Sequence, residues 1–244
     1  MTTLLQQQKR IIVGTLIAAN ILFPLFIVLW GHYVDGVGWH RIERLIDREG
    51  NSITWFSSVQ LLLTGLVAYA TYVATQLNDL RDGQETPYRW AWLFLAFGFV
   101  FLACDEFFMY HEQLRERILK PNRVLTDIPK FNPGDAGLFV YLAVGLTMSY
   151  FFVQILRSNR SSVVLFVSAI AVITPLVILD GFYFEFIRDN PTVRTTYNMI
   201  EEIGENIAGL LFLLSFLMIL FDRLQPLLTP PGGGRSEATS RTSS

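Results

Sequence analysis

Apolar residues in this chain gather into six blocks, near 11–30, 54–77, 90–111, 137–156, 162–187 and 200–221, separated by polar connections. A hydrocarbon core of about 30 Å takes about 20 helical residues at 1.5 Å each, so every block is long enough to span a bilayer. Backbone polar groups in lipid must be satisfied within their own segment or by closing a barrel, and continuous apolar runs of this length read as helices. The pattern predicts an all-α, polytopic membrane protein. Six transmembrane helices occupy residues 1–225, and a disordered Pro/Gly/Ser/Thr-rich tail follows over 226–244. Pro24 and Pro175 fall inside the first and fifth blocks, a placement that membrane helices tolerate. Lys9 and Arg10 precede the first block as they would in a signal peptide. Its apolar core is too long for that role and Gly31-His32-Tyr33-Val34 is a poor cleavage context, so it reads as a retained helix.

The connections differ in character. Between the first two blocks, Trp39, Ile42, Leu45 and Ile46 recur at helical spacing among Arg41, Arg44, Asp47 and Arg48, which fits a short helix lying on the membrane surface or an ordinary soluble one. Residues 113–135 form the longest connection and contain Pro121, Pro129 and Pro133. Lys and Arg divide almost evenly between the two faces. The uncompensated Lys9, Arg10, Arg157 and Arg160 favour cytoplasmic termini. No internal repeat marks an inverted-repeat transporter.

Composition agrees with the pattern: 52% of residues are hydrophobic and 16% charged, more apolar and less charged than soluble domains. A formal net charge of −2 with scattered basic residues leaves no footprint for nucleic acid. The one cysteine, Cys104, forbids an internal disulfide.

Three blocks carry acids where a helix should be apolar: Asp105, Glu106, His111 and Glu112 in the third, Asp180 and Glu185 in the fifth, and Glu201, Glu202 and Glu205 in the sixth. A charge at the centre of a bilayer helix costs about 2.5–3.5 kcal/mol on insertion scales, so such residues ordinarily have a partner or a purpose. With six spans, the C-terminal ends of blocks three and five lie in the same leaflet as the N-terminal end of block six. Counting residues from the terminus-side boundary puts Asp105 and Glu205 at one depth, ~7 Å inside the opposite boundary, with Asp180 within about one turn of them. No Lys or Arg shares that depth. Carboxylates gathered without basic partners take up protons or bind cations.

Oxygen ligands with one imidazole suit a divalent metal such as Zn, Mn or Fe. Asp105, His111, Asp180 and Glu205 are the candidate ligands, and Glu112 or Glu202 the candidate general base. On helical angles Asp105 points inward with Glu112, whereas Glu106 faces elsewhere. Each residue also has a plainer reading. The acids could join helices by hydrogen bonds, His111 could face headgroups, and Glu201 and Glu202 could cap the start of the sixth helix. A three-histidine zinc site would need His32 and His40 beside His111, without the spacing of the ceramidase-type hydrolases. The histidine set of desaturases and the Glu-x-x-His of di-iron bundles are absent as well. Three functions stay open: a metal-dependent enzyme acting on a lipid or another membrane-dissolved substrate, a proton- or cation-coupled transporter using the same acids, and a structural or assembly protein.

The helix end Asp105-Glu106-x4-His111-Glu112, preceded by Glu49, Asn51, Trp55, Phe56, Ser57 and Ser58, resembles uncharacterised bacterial six-helix inner-membrane proteins across about the second to sixth blocks. That resemblance implies a multi-pass location in a bacterial inner membrane and implies no activity.

Overall fold

The protein is described by a computed structural model covering residues 2–33, 52–119, 121–122, 124, 136–181 and 190–228. Its elements are α1 (Thr2–Tyr33), α2 (Ser52–Asp82), α3 (Trp90–Phe108), the short α4 (Tyr110–Leu114) continued by a π-helical turn (Arg115–Leu119), α5 (Ala136–Leu156), α6 (Arg160–Gly181) and α7 (Pro191–Leu227). All but α4 and the π turn are long and apolar enough to cross a bilayer, as the six blocks predict. No strand occurs among the described residues. The expected surface helix around Trp39–Ile46, the Glu49–Asn51 segment, residues 182–187 of the fifth block with Glu185, and the tail from 229 onward lie outside the described residues.

Two helix starts lie well before the hydropathy reading: that of α1, at Thr2 rather than near 11, and that of α7. The sixth span begins at Pro191 rather than near 200. Asn190 precedes it and accepts a hydrogen bond from the Val193 N–H at 3.3 Å through Oδ1, satisfying one of the orphan donors of the first turn. Pro191 at the first helical position loses nothing by having no N–H. Glu201 and Glu202 therefore lie about three turns inside α7, and the helix-capping reading of these acids is replaced by one in which they sit on its flank.

Three close crossings assemble the bundle. Antiparallel α2 and α3 meet at Gly65, where a Cβ would stand 2.9 Å from Val100 Cγ2 and 3.0 Å from the Ala96 carbonyl oxygen. Antiparallel α6 and α7 meet at Ser162 and Ser215. Each hydroxyl reaches the other residue's carbonyl, at 2.8 and 2.9 Å, and the two hydroxyls lie 2.9 Å apart. Small residues let membrane helices approach in this way, and the hydrogen bonds would otherwise be unmade in lipid. The third crossing sets α7 parallel to α2, with Gln60 against Gly209 near one end and Asn78 donating to the Arg223 carbonyl at 2.8 Å near the other. Between these crossings Trp92, Phe99, Phe166, Phe212 and Phe216 interlock in edge-to-face and stacked contacts that bury the centre of α3, α6 and α7.

Ser162→Val removes that reciprocal pair and adds bulk at a fully buried position, so it should destabilise the bundle by about 1–3 kcal/mol. Ser162→Ala should cost about 0.6 kcal/mol. Unfolding in detergent, followed by helical circular dichroism, checks the order of the two. Equal effects would remove packing from the explanation.

Candidate functional site

The third span does not run unbroken to residue 111. After Phe108 the chain turns at Met109, whose φ of 54° and ψ of 45° place it in the left-handed region, and its N–H still closes on the Asp105 carbonyl. A non-glycine residue pays about 1–2 kcal/mol for that conformation. The next residues repay it. Gln113 donates from its backbone N–H to the Met109 carbonyl at 3.0 Å and from Nε2 to the Phe108 carbonyl at 2.8 Å, satisfying groups that the end of α3 leaves open. His111 folds back onto the helix it has just left. Its backbone N–H donates to Asp105 Oδ1 at 2.9 Å, and its ring Nδ1 lies 2.9 Å from Asp105 Oδ2.

That contact depends on the break. In a continuous helix, residues six apart are separated by about 9 Å of rise and point in different directions, so they cannot touch. Here the two residues form a direct pair. Both oxygens of Asp105 accept from one residue, and its side chain is 6% exposed against 19% for His111. With a proton on Nδ1 donated to the carboxylate, the basic nitrogen of the ring is Nε2.

The neighbours come from α2, from α5 and from α3 itself. Ser58 of α2 donates to the Ala103 carbonyl at 2.8 Å in a buried contact that fixes α3 two residues before Asp105. Tyr141 of α5 is near enough to feel the charge of Asp105, and its ring meets Phe101 edge-on at 5.8 Å. Glu106, which helical angles turn away, is half-buried and interacts electrostatically with both His111 and Asp105. The break at Met109 brings His111 round to it.

Depth on α7 follows from the aromatic contacts. Phe99 and Phe212 touch at 5.3 Å. Asp105 lies six residues beyond Phe99, and Asn206 six residues before Phe212 on an antiparallel helix, so Asp105, Glu205 and Asn206 share a level. Glu205 is half-buried there, Glu202 is half-buried about one turn nearer the surface, and Asn206 is buried with its Nδ2 donating to the Glu202 carbonyl at 2.9 Å. Asp180 stands higher than expected. The contact between Leu176 and Gly204 sets its backbone opposite about Ile200, roughly 7 Å from the Glu205 level toward the nearer surface. The side chains of Asp180 and Glu112 lie outside the described residues, and the backbone of Glu112 follows His111 in α4.

Of the candidate ligands Asp105, His111, Asp180 and Glu205, the structure joins Asp105 to His111. Among the described residues, no three His, Cys, Asp or Glu side chains gather as a metal-holding group. Cys104 is a half-buried free thiol. Two features escaped the sequence reading: the break at Met109, for which methionine is no signal, and Gln60 on α2, which a hydropathy block conceals.

No curated protein and no solved structure matches the chain. The family model described as a domain of unknown function, DUF8692, matches residues 14–220, from the first span to the sixth, and the chain belongs to that family.

Proposed function

We propose that this multi-pass membrane protein is an enzyme acting on a lipid or another membrane-dissolved substrate, with the Asp105–His111 pair as its proton-handling centre. The observation that carries this reading is the pair itself, built at the cost of a left-handed methionine, with both carboxylate oxygens committed to His111. A carboxylate that holds an imidazole by Nδ1–H fixes its tautomer and raises the basicity of Nε2, which suits a general base near neutral pH. Glu106, Glu202, Glu205 and Tyr141 supply further proton-exchanging groups around that depth.

A divalent metal is the second reading. In it His111 would ligate through Nε2, with Asp105 behind it as the group that orients the ring, and Glu205 and Asp180 would be the oxygen ligands. The half-buried Glu205 at the level of Asp105, with half-buried Glu202 about one turn away, favours it, and Glu202 or Glu112 is left as the base. For location, the bacterial inner membrane is supported by the sequence resemblance, and cytoplasmic termini by Lys9, Arg10, Arg157 and Arg160.

Lipid profiling tests the function. Purified protein in liposomes of mixed membrane lipids should alter at least one lipid species, and His111→Ala should slow that change by about 10²-fold or more. Equal turnover in both, or none in either, counts against an enzyme centred on His111. Elemental analysis of the same preparations separates the readings: one equivalent of metal that falls away in Glu205→Ala belongs to the second.

A further inference from the structure

Away from the Asp105–His111 pair, the interface of α2 with α7 contains polar side chains that neither proposed chemistry uses. Gln60 lies against Gly209, its Oε1 only 2.8 Å from where a Cβ on that glycine would be. Ser57 and Asn206 each stand three residues earlier on two parallel helices, so they occupy the same interface one turn along. All three are buried, at 5%, 3% and 5% exposure for Ser57, Gln60 and Asn206. Ser57 Oγ, Gln60 Oε1 and Asn206 Oδ1 have no hydrogen-bond partner among the described residues.

The chemistry of the two unpartnered amide oxygens is settled by main-chain carbonyls, which only accept. Asn20 of α1 turns its amide nitrogen to the Leu16 carbonyl at 3.0 Å, so its Oδ1 must accept, and it does so from Gln60 Nε2 at 2.6 Å. Gln60 is thereby left with its oxygen toward Gly209. Asn206 gives its nitrogen to the Glu202 carbonyl at 2.9 Å and is likewise left with its oxygen. Two buried acceptors therefore need donors, while Ser57 has a single hydroxyl hydrogen to offer. Leaving such groups unmade costs about 1–3 kcal/mol each, and native structures rarely do so. Apolar layers enclose this one on both sides: Ile53 with Val28 and Met199 toward the near surface, and Leu213 with Val67 and Leu16 toward the bundle centre.

We propose that the layer of Ser57, Gln60 and Asn206 is a binding site for one small hydrogen-bond-donating group, seated between α2 and α7 at the depth of Asp105. A donor with two hydrogens satisfies both amide oxygens, and Ser57 completes the set by donating to it or accepting from it. A water molecule has this valence, as does the hydroxyl or ammonium end of a membrane-dissolved molecule; about three partners is the ordinary complement of a buried water. Gly209 belongs to the site because any side chain there would displace the Gln60 oxygen.

A high-resolution cryo-EM map of the protein in lipid nanodiscs tests the proposal. Density within hydrogen-bonding reach of both Gln60 Oε1 and Asn206 Oδ1 is expected. A compact feature identifies water, and one extending outward between α2 and α7 identifies the head of a lipid-like molecule. In Asn206→Leu the density should vanish, while in Ile207→Leu, an exposed neighbour, it should persist. A dry layer in the unsubstituted protein, with the two amides paired to each other or to main chain, overturns the proposal, as does density that survives Asn206→Leu.

Discussion

Gly65→Leu is expected to abolish the folded bundle in detergent, and Gly65→Ala to lower its stability by about 1–3 kcal/mol. The alanine case sets two effects against each other. Replacing a mid-helix glycine ordinarily gains about 1 kcal/mol of helix propensity. At Gly65 the added Cβ would meet Val100 Cγ2 at 2.9 Å, the Ala96 carbonyl oxygen at 3.0 Å and the Val100 nitrogen at 3.2 Å. A valine methyl can rotate away, but backbone atoms of α3 cannot, so the helices must part and the clash wins. Leucine adds three more carbons at the same crossing and takes the cost beyond that range. Gly98 on α3 supplies the control, because a Cβ there meets nothing within 4 Å. Gly98→Ala should leave stability unchanged or raise it by up to about 1 kcal/mol. Thermal unfolding in one detergent ranks the variants, and a Gly65→Ala protein as stable as Gly98→Ala would refute the close crossing. Ser58, two turns along the same interface, holds the carbonyl of Ala103, so parting α2 from α3 should also disturb Asp105.

The six spans were legible because apolar length alone decides them: a run of about 20 residues has one stable solution in lipid. Legibility failed where a decision depends on partners. The start of α7 is written in Asn190-Pro191, a cap and a first-turn proline, but residues 191–199 are too polar for a hydropathy reading to include. The polar side of α2 was also present in the sequence. Ser57, Gln60, Thr64, Thr71, Thr75 and Asn78 recur at helical spacing and are all buried, the inverse of a surface helix. Inside an apolar block they pass for noise. The level of Asp180 needs the Leu176–Gly204 contact, which no count along one helix contains. The break at Met109 is the hardest case. Methionine has no preference for the left-handed region, and the turn persists because Asp105, His111 and Gln113 together reward it.

Asp105→Asn should keep the fold and move the proton on the His111 ring from Nδ1 to Nε2. The backbone N–H of His111 is a fixed donor, so the asparagine must present its oxygen there, in place of Asp105 Oδ1. Its amide group then faces the ring where Asp105 Oδ2 stood, and two donors cannot face each other. Nδ1 must become the acceptor, and the neutral imidazole carries its hydrogen on Nε2. The nitrogen that was basic in the unsubstituted protein is no longer so. Solid-state nitrogen NMR of histidine-labelled protein in lipid reads the tautomer without any assay of activity. A ring protonated on Nδ1 in both proteins would refute the pairing geometry. Where activity is measurable, losing an orienting carboxylate of this kind typically costs 10–100-fold. Asp105→Ala acts differently. It leaves the His111 N–H without its acceptor and removes the reward for the left-handed Met109, so residues 109–111 should relax and the whole turn move. Asparagine thus separates the electrostatic role of Asp105 from its structural one. A tautomer switch without lost function would assign Asp105 to holding the helix break alone.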